Sequence, residues 1–97
     1  MVGFDLAQYQ QIFRQMGYAD DNGAALLLRT QLLKAVKAEL EKKNWTQEQA
    51  AKKLGVQRPR ISEIYGLKID KFSVELLVKY LFRLDKEVTF QVKSARR

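Results

Sequence analysis

The stretch that decides the fold is WTQEQAAKKLGVQRPRISEIYG, residues 45–66. Thr46 and Gln49 have the spacing of a capping box, which predicts that a short helix begins beside Thr46. Gly55 should end this helix, because glycine accepts the left-handed backbone found at helix ends. Pro59, the only proline of the chain, suits the first turn of a second short helix, where its missing N–H has no helical partner.

Small and apolar residues in this stretch predict how the two short helices pack. Ala51, four residues before Gly55, leaves room where the helices cross, and Gly55 permits the turn between them. Ile61 and Ile64 fall on one face of the second helix and should point inward. This combination predicts a helix-turn-helix whose second helix spans residues 59–65.

Two longer apolar patterns flank this motif. Residues 24–43 form the longest helical pattern, and Ser73 caps another that ends near Asp85. The fold class predicted is mainly α, a compact helix-turn-helix bundle of about four to five helices followed by a C-terminal β-strand. The residues expected in the core are Leu28, Leu32, Leu33, Val36, Leu40, Val74, Leu77, Leu81, Leu84 and the capping-region Trp45.

The C-terminal residues 86–93, KEVTFQVK, alternate the apolar Val88, Phe90 and Val92 with polar residues. A period of two predicts a half-buried strand. Because a lone strand leaves backbone groups unpaired, we expect it to pair antiparallel with the same strand of a second copy across a two-fold axis. The alternative is a frayed tail packed on its own core.

The predicted boundaries give one domain with extensions at both ends. Residues 1–22 form an acidic, aromatic helical extension, residues 23–85 the helix-turn-helix DNA-binding domain, residues 86–93 the dimerisation strand, and residues 94–97 a basic tail. Helical spacing of apolar residues in the N-terminal extension leaves two interpretations open, core packing or a face that binds a partner. These apolar residues are Leu6, Tyr9, Phe13 and Met16.

Composition argues against several classes of function. The 97 residues include no Cys and no His, which removes disulfides, thiol nucleophiles, the commonest general base and most zinc sites. The carboxylates are scattered along the chain. We therefore expect no enzymatic activity, no metal and no cofactor. Because no long apolar run and no signal peptide are evident, a cytoplasmic chain is expected.

Charge is distributed unevenly along the chain, whose net charge is +7. Residues 1–25 hold one Arg and three Asp, whereas residues 26–97 hold 17 basic and eight acidic groups. The basic part favours an anionic partner such as nucleic acid. A solvated cationic surface with no such partner would have the same composition.

From Leu26 to Val92 the chain resembles the lambda-repressor/Cro-like (XRE) helix-turn-helix family, and within it small HigA-type antitoxins and related stand-alone regulators. The matching segments are LLLRTQLL, WTQEQAAKKLGV, QRPRISEIYG, FSVELLVKYL and KEVTFQV. The resemblance implies a homodimer, in a prokaryote or phage, that binds a palindromic operator in double-stranded DNA. One departure, Leu84-Asp85 where relatives usually have Leu-Gly, is expected to change the turn after the last helix.

The same resemblance assigns the DNA-contacting residues by position, with residues 59–65 as the recognition helix. It implies that Arg58 reads guanine and that Arg60 grips phosphate, while Glu63 either accepts from cytosine or merely orients Arg60. Thr46 caps its helix, contacts phosphate, or does both. The implied DNA-binding residues are Thr46, Gln47, Gln57, Arg58, Pro59, Arg60, Ser62 and Glu63.

Pro59 should also set the direction of Arg58. The residue before a proline avoids the helical region, so Arg58 is expected to project from an extended entry and not from the helix body. Arg58 and Arg60 oppose the helix dipole at a cost of about 0.3–1 kcal/mol each, which a bound phosphate would offset.

Two functions of different classes fit these features. The first is a sequence-specific DNA-binding transcriptional regulator, a repressor that can regulate its own operon. The second is the antitoxin of a type II pair, which binds and neutralises a toxin that cleaves messenger RNA; the acidic residues 1–25 would suit a basic toxin. RNA binding through the same basic face is a weaker third, because no exposed aromatic platform is evident.

Overall fold

A computed structural model describes residues 14–17 and 20–94. In this part of the chain, four α-helices and one 3-10 helix have defined first and last residues, and short turns join them. They are α1 (Asp20–Lys43), α2 (Gln47–Leu54), α3 (Arg58–Tyr65), η1 (Ile69–Lys71) and α4 (Val74–Arg83). The predicted helix over residues 24–43 is present and begins earlier, at Asp20. The positions Leu6, Tyr9 and Phe13 of the predicted N-terminal helix lie outside the described residues, and Met16 is exposed.

One core joins α1, α2, α3 and α4. α1 packs mainly on α4, and α2 packs mainly on α3. Predicted core positions that are indeed buried are Leu33, Val36, Leu40, Leu77, Leu81 and Leu84, while Leu32 and Trp45 are half-buried against the same cluster. The largest buried side chain is Tyr80, whose ring meets Phe72 edge to face at 6.2 Å between centroids.

The prediction that Leu28 lies in the core is wrong, because 43% of this residue is exposed. Leu28 is five residues before the fully buried Leu33, which places it roughly 140° away around the helix. Leu26, seven residues before Leu33, returns to within roughly 20° of the buried stripe and is 6% exposed. Leu26 and Leu27 are both buried, and the run of three leucines concealed which of them is left exposed.

The predicted helix-turn-helix is present and closely packed. The Thr46 side chain accepts from the backbone N–H of Gln49 at 3.1 Å, and the Gln49 side chain accepts from the Thr46 N–H at 2.9 Å, which completes the capping box. Ala51 is 6% exposed where the helices meet, and Ile61 and Ile64 of α3 are fully buried. The sequence pattern therefore identified the inward face of α3 correctly.

Each of the four described α-helices is followed by a residue with positive φ, which after α1 is Asn44 at +57°. The other three helix ends also share one hydrogen-bonding pattern. The φ angles are +69° at Gly55, +51° at Leu67 and +62° at Asp85. At each end, two backbone N–H groups donate to carbonyls of the last turn, as in a Schellman motif; after α4, Asp85 N donates to Phe82 O and Lys86 N to Leu81 O. At Asp85 an aspartate takes the left-handed conformation usual for glycine, so this helix end forms without a glycine.

The predicted β-strand over residues 86–93 is absent, and no strand occurs in residues 14–17 or 20–94. Alternation describes the side chains only, whereas a strand also needs a neighbouring backbone with which to pair. The segment instead runs beside α1 and α4, where its first half lines an apolar groove. Val88 is 36% exposed, and Phe90 and Val92 are 86% and 84% exposed. The fold class is therefore helical, without the predicted strand.

An ion pair fixes the start of this C-terminal segment. Lys86 Nζ lies 3.6 Å from Glu39 Oε2 of α1, and Lys42 Nζ lies 3.2 Å from Glu39 Oε1. Partial burial alone would raise the pKa of Glu39, but hydrogen bonding and attraction from Lys42 and Lys86 outweigh it and lower the pKa below its ordinary value. Among the described helices, none is long and apolar enough to cross a membrane.

We expect Asp85→Gly to increase the free energy of unfolding by about 0.5–1 kcal/mol, because glycine adopts positive φ without the steric cost of a side chain. Urea denaturation measures the change. Asp70→Gly is the control, since Asp70 is exposed and does not have positive φ. If both substitutions destabilise the protein equally, the left-handed backbone at Asp85 carries no cost.

We expect the stabilisation from Glu39 to depend on pH. Because its folded-state pKa is lowered, the contribution is complete above its ordinary pKa and is lost as the pH falls through the folded-state value. Glu39→Gln should therefore cost about 0.2–1 kcal/mol at pH 7 and nothing near pH 2. Urea denaturation at both pH values measures this difference. A deficit that is the same at both would exclude the ionised carboxylate as its source.

Candidate nucleic-acid interface

The outward face of α3 carries the predicted DNA-contacting side chains. Gln57 is the N-cap residue of α3, and Pro59 lies in its first turn. Gln57, Arg58, Pro59 and Ser62 are exposed, whereas Arg60 and Glu63 are half-buried. Because Ile61 and Ile64 anchor the opposite face in the core, the helix presents a fixed polar surface to solvent.

The helix begins one residue before the predicted position. Arg58 is the first residue of α3, and Gln57, with φ −80° and ψ 152°, has the extended conformation that was expected of Arg58. The preference of a residue before proline is only a bias, and at the first helical position it did not prevail. The expectation that Arg58 projects from an extended entry is therefore wrong, and Arg58 projects from the first turn.

A side-chain hydrogen bond links the two helices of the motif. Arg58 Nε donates to Gln47 Oε1 at 3.2 Å, which joins the start of α3 to the start of α2. This bond uses the Nε donor of the guanidinium. The two terminal nitrogens of Arg58 keep the paired N–H donors that recognise two acceptors at once. Gln47 thus orients Arg58 and keeps its own amide N–H groups as donors.

Arg60 is held by two contacts on the other side of α3. Its Cζ lies 5.0 Å from the centroid of the Phe72 ring, and its Nη1 lies 3.4 Å from Glu63 Oε1. A cation over an aromatic face and an ion pair three residues apart each favour one rotamer. The structure thus contains the Arg60–Glu63 pair that was one of the two alternatives for Glu63.

The N-terminus of α2 lies close to the start of α3, because Gln47 and Arg58 are hydrogen-bonded to each other. Thr46 is exposed, and its side chain is engaged in the capping box. Backbone N–H groups in the first turn of a helix attract anions. Two exposed cations, Lys52 and Lys53, occupy the last turn of α2 just before Gly55. The Gln47–Arg58 bond therefore brings predicted site residues of both helices together, and both helices carry exposed cations.

Two residues important to this surface were not identified from the sequence. Phe72 directly precedes the capping Ser73 and was given no role at the surface, yet its ring supports Arg60. Arg83 was not singled out, although its Nη1 donates to the carbonyl of Leu54 at the end of α2. A cation in the last turn of α4 was the only signal in the sequence, because both contacts join residues distant along the chain. Among the described residues, no cluster of His, Cys, Asp or Glu could hold a metal ion.

Comparisons with known proteins agree with this architecture. A family model described as a helix-turn-helix domain matches residues 14–93. A solved structure provisionally described as an XRE family transcriptional regulator superimposes with a TM-score of 0.69 at 29% sequence identity. The match covers 75% of this chain and 82% of that chain. No curated protein matches the chain.

Proposed function

Because the chain belongs to the helix-turn-helix domain family, and its motif is of the XRE type, we propose that it is a DNA-binding transcriptional regulator. It inserts α3 in the major groove and reads base edges with the exposed face of that helix. The observation that carries this proposal is the division of α3, with Ile61 and Ile64 fully buried and the polar residues opposite them exposed. A helix anchored in this way offers base-reading side chains with little freedom to lose on binding.

Arg58 is the residue we assign to base recognition. Its hydrogen bond to Gln47 supports this role, because an oriented guanidinium can direct its terminal N–H pair at the O6 and N7 acceptors of guanine. Gln57 and Ser62 supply further donors and acceptors on the same exposed face. Pro59, the second residue of α3, leaves no N–H group unused in the first turn. Thr46 and Gln47 hold the N-terminus of α2 against a phosphate.

Arg60 and Glu63 act as a pair in this proposal. The ion pair and the Phe72 ring favour the role in which Glu63 orients Arg60, whose remaining N–H donors grip a phosphate. A carboxylate engaged in this way is poorly placed to accept from cytosine as well. The cations at the start of α3 oppose the helix dipole, and a bound phosphate removes that conflict.

We also propose that two copies bind a palindromic operator as a homodimer. A groove of about 830 Å³ lies between α1, α4 and the C-terminal segment. Its ionic rim is balanced in charge, although the chain carries a net +7, so two copies can approach there without strong repulsion. The charged residues of the rim are Lys34, Lys86, Glu39 and Glu87, and exposed apolar residues of the lining are Leu28, Val78, Val88 and Phe90. Val92, two residues beyond Phe90, is 84% exposed and was also predicted at the dimer contact.

Occupying an operator would make the protein a repressor, and an operator within its own promoter would make it autoregulatory. The antitoxin function stays an alternative, because the acidic segment that suggested it lies largely outside the described residues. A toxin-like gene beside this one, with neutralisation lost on deletion of residues 1–20 and DNA binding kept, would favour that alternative.

We expect Arg58→Ala to abolish the preference for one base position in DNA selected from a random pool. The loss should be about 1–3 kcal/mol at that position. Gln47→Met should reduce the same preference in part, because it removes the acceptor that orients Arg58. Binding measured on the selected DNA and on its variants at that base quantifies both effects.

The control for this experiment is Lys79→Ala, which removes an exposed cation of α4 that pairs with Glu75 at 3.7 Å. It should leave sequence preference unchanged. Affinity of the wild type should fall steeply with salt as counterions are released. If Arg58→Ala weakens binding equally at all sequences, Arg58 contacts phosphate and does not read a base. An affinity insensitive to salt would contradict DNA binding altogether.

We expect Phe90→Asp to convert a dimer to a monomer in sedimentation experiments, because a carboxylate would be buried in the groove between copies. Phe82→Asp is a matched control, since Phe82 is 77% exposed against 86% for Phe90 and does not line the groove. Binding of Phe90→Asp to a palindromic site should also lose cooperativity. A wild-type monomer, or equal effects of the two substitutions, would exclude this groove as the dimer interface.

A further inference from the structure

Arg83 connects the last turn of α4 to the turn of the helix-turn-helix. Its Nη1 donates a hydrogen bond to the carbonyl oxygen of Leu54, the last residue of α2. The two residues are 29 positions apart in the sequence. This bond therefore joins two elements at the point where the chain turns from α2 toward α3.

Gly55 provides the space that this contact needs. A Cβ atom built on Gly55 would lie 3.0 Å from Arg83 Nη1 and 3.6 Å from Arg83 Cζ. The guanidinium thus rests against the bare backbone of the turn. Gly55 is required here for its φ of +69°, and its lack of a side chain also admits Arg83.

The hydrogen bonds of the turn leave Arg83 a distinct role. Gly55 N donates to Lys52 O at 3.2 Å, and Val56 N donates to Ala51 O at 2.9 Å. These backbone bonds close the end of α2, while the guanidinium engages the carbonyl of Leu54. A cation at a helix C-terminus also interacts favourably with the helix dipole. Arg83 therefore stabilises this end of α2 with both charge and a hydrogen bond.

The geometry points to Arg83 as a positioning residue for DNA recognition, which rests on the DNA-binding function proposed above. α4 packs against α1 and also contacts α2, so Arg83 braces the turn against the body of the domain. The brace fixes the direction in which α3 leaves the turn, and with it the approach of Arg58 to a base. Arg83 acts through Leu54 and Gly55 and makes no contact with DNA itself.

The test compares Arg83→Met with Lys79→Met, which removes one exposed cation from the same helix without touching the turn. Affinity is measured for the DNA that the wild type selects from a random pool and for DNA of unrelated sequence, over a range of salt. Arg83→Met should lose about five- to tenfold in affinity for selected DNA beyond Lys79→Met, with the same affinity for unrelated DNA. Arg83→Lys, which keeps the charge and a donor, should recover part of the loss.

Two results would overturn the assignment. If the ratio of selected to unrelated affinity is the same in Arg83→Met and Lys79→Met, Arg83 does not position the reader. If the salt dependence of Arg83→Met is shallower than that of Lys79→Met by about 0.9 in the logarithmic slope, Arg83 contacts phosphate directly. Thermal denaturation identifies a temperature at which every variant is folded, and Arg83→Lys tests the assignment if Arg83→Met does not fold.

Amide hydrogen exchange tests whether Arg83 stabilises the turn, independently of whether the protein binds DNA. Exchange at Gly55 N and Val56 N, whose hydrogen bonds close α2, should quicken in Arg83→Met and not in Lys79→Met. If exchange quickens in Arg83→Met but the wild type selects no DNA sequence, Arg83 stabilises the turn and the DNA-binding function is refuted. Unchanged exchange in a protein that does select a sequence would refute the brace alone.

Discussion

The rest of the structure depends on one constraint, the left-handed backbone at Gly55 between two very short helices. α2 and α3 have eight residues each, too few for either helix to be stable in water by itself. Their stability comes from contact with each other and with the core, and this contact requires a sharp reversal of the chain. Gly55 permits the reversal, and the small Ala51 allows the helices to approach closely. Burial of Ile61 and Ile64 then fixes the rotation of α3 about its axis.

Once that rotation is fixed, the character of the exposed face follows from the sequence of α3. The residues between the two isoleucines, Ser62 and Glu63, are polar or charged, as are Gln57, Arg58 and Arg60 at the start of the helix. Most of the long side chains on this face are held by neighbours. Arg58 is bonded to Gln47, and Arg60 lies between Phe72 and Glu63. Ordering long side chains before a ligand arrives reduces the entropy lost on binding.

Much of this arrangement could be predicted from the sequence, because it depends on residues close together along the chain. The capping box at Thr46, the helix end at Gly55 and the inward face of α3 are all local patterns. The bonds from Arg58 to Gln47 and from Arg83 to Leu54 could not be predicted, since they depend on how the elements pack. Left-handed backbone at Leu67 was also hidden, because leucine rarely adopts it and the preceding Gly66 is the residue that the pattern suggests.

The missing strand shows that period-two alternation of side chains is not sufficient to predict a β-strand. Alternating side chains establish that a segment has two unlike faces, but a strand exists only where a neighbouring backbone supplies hydrogen bonds. Residues 86–93 have the alternation, and after Lys86 and Glu39 fix their start, residues 86–90 line the groove beside α1 and α4. Val88 and Phe90 there line a groove with balanced charge, whereas α2 and α3 present unbalanced cations. The chain thus separates a surface suited to an anion from one suited to another polypeptide, and Arg83 lies on the helix that borders both.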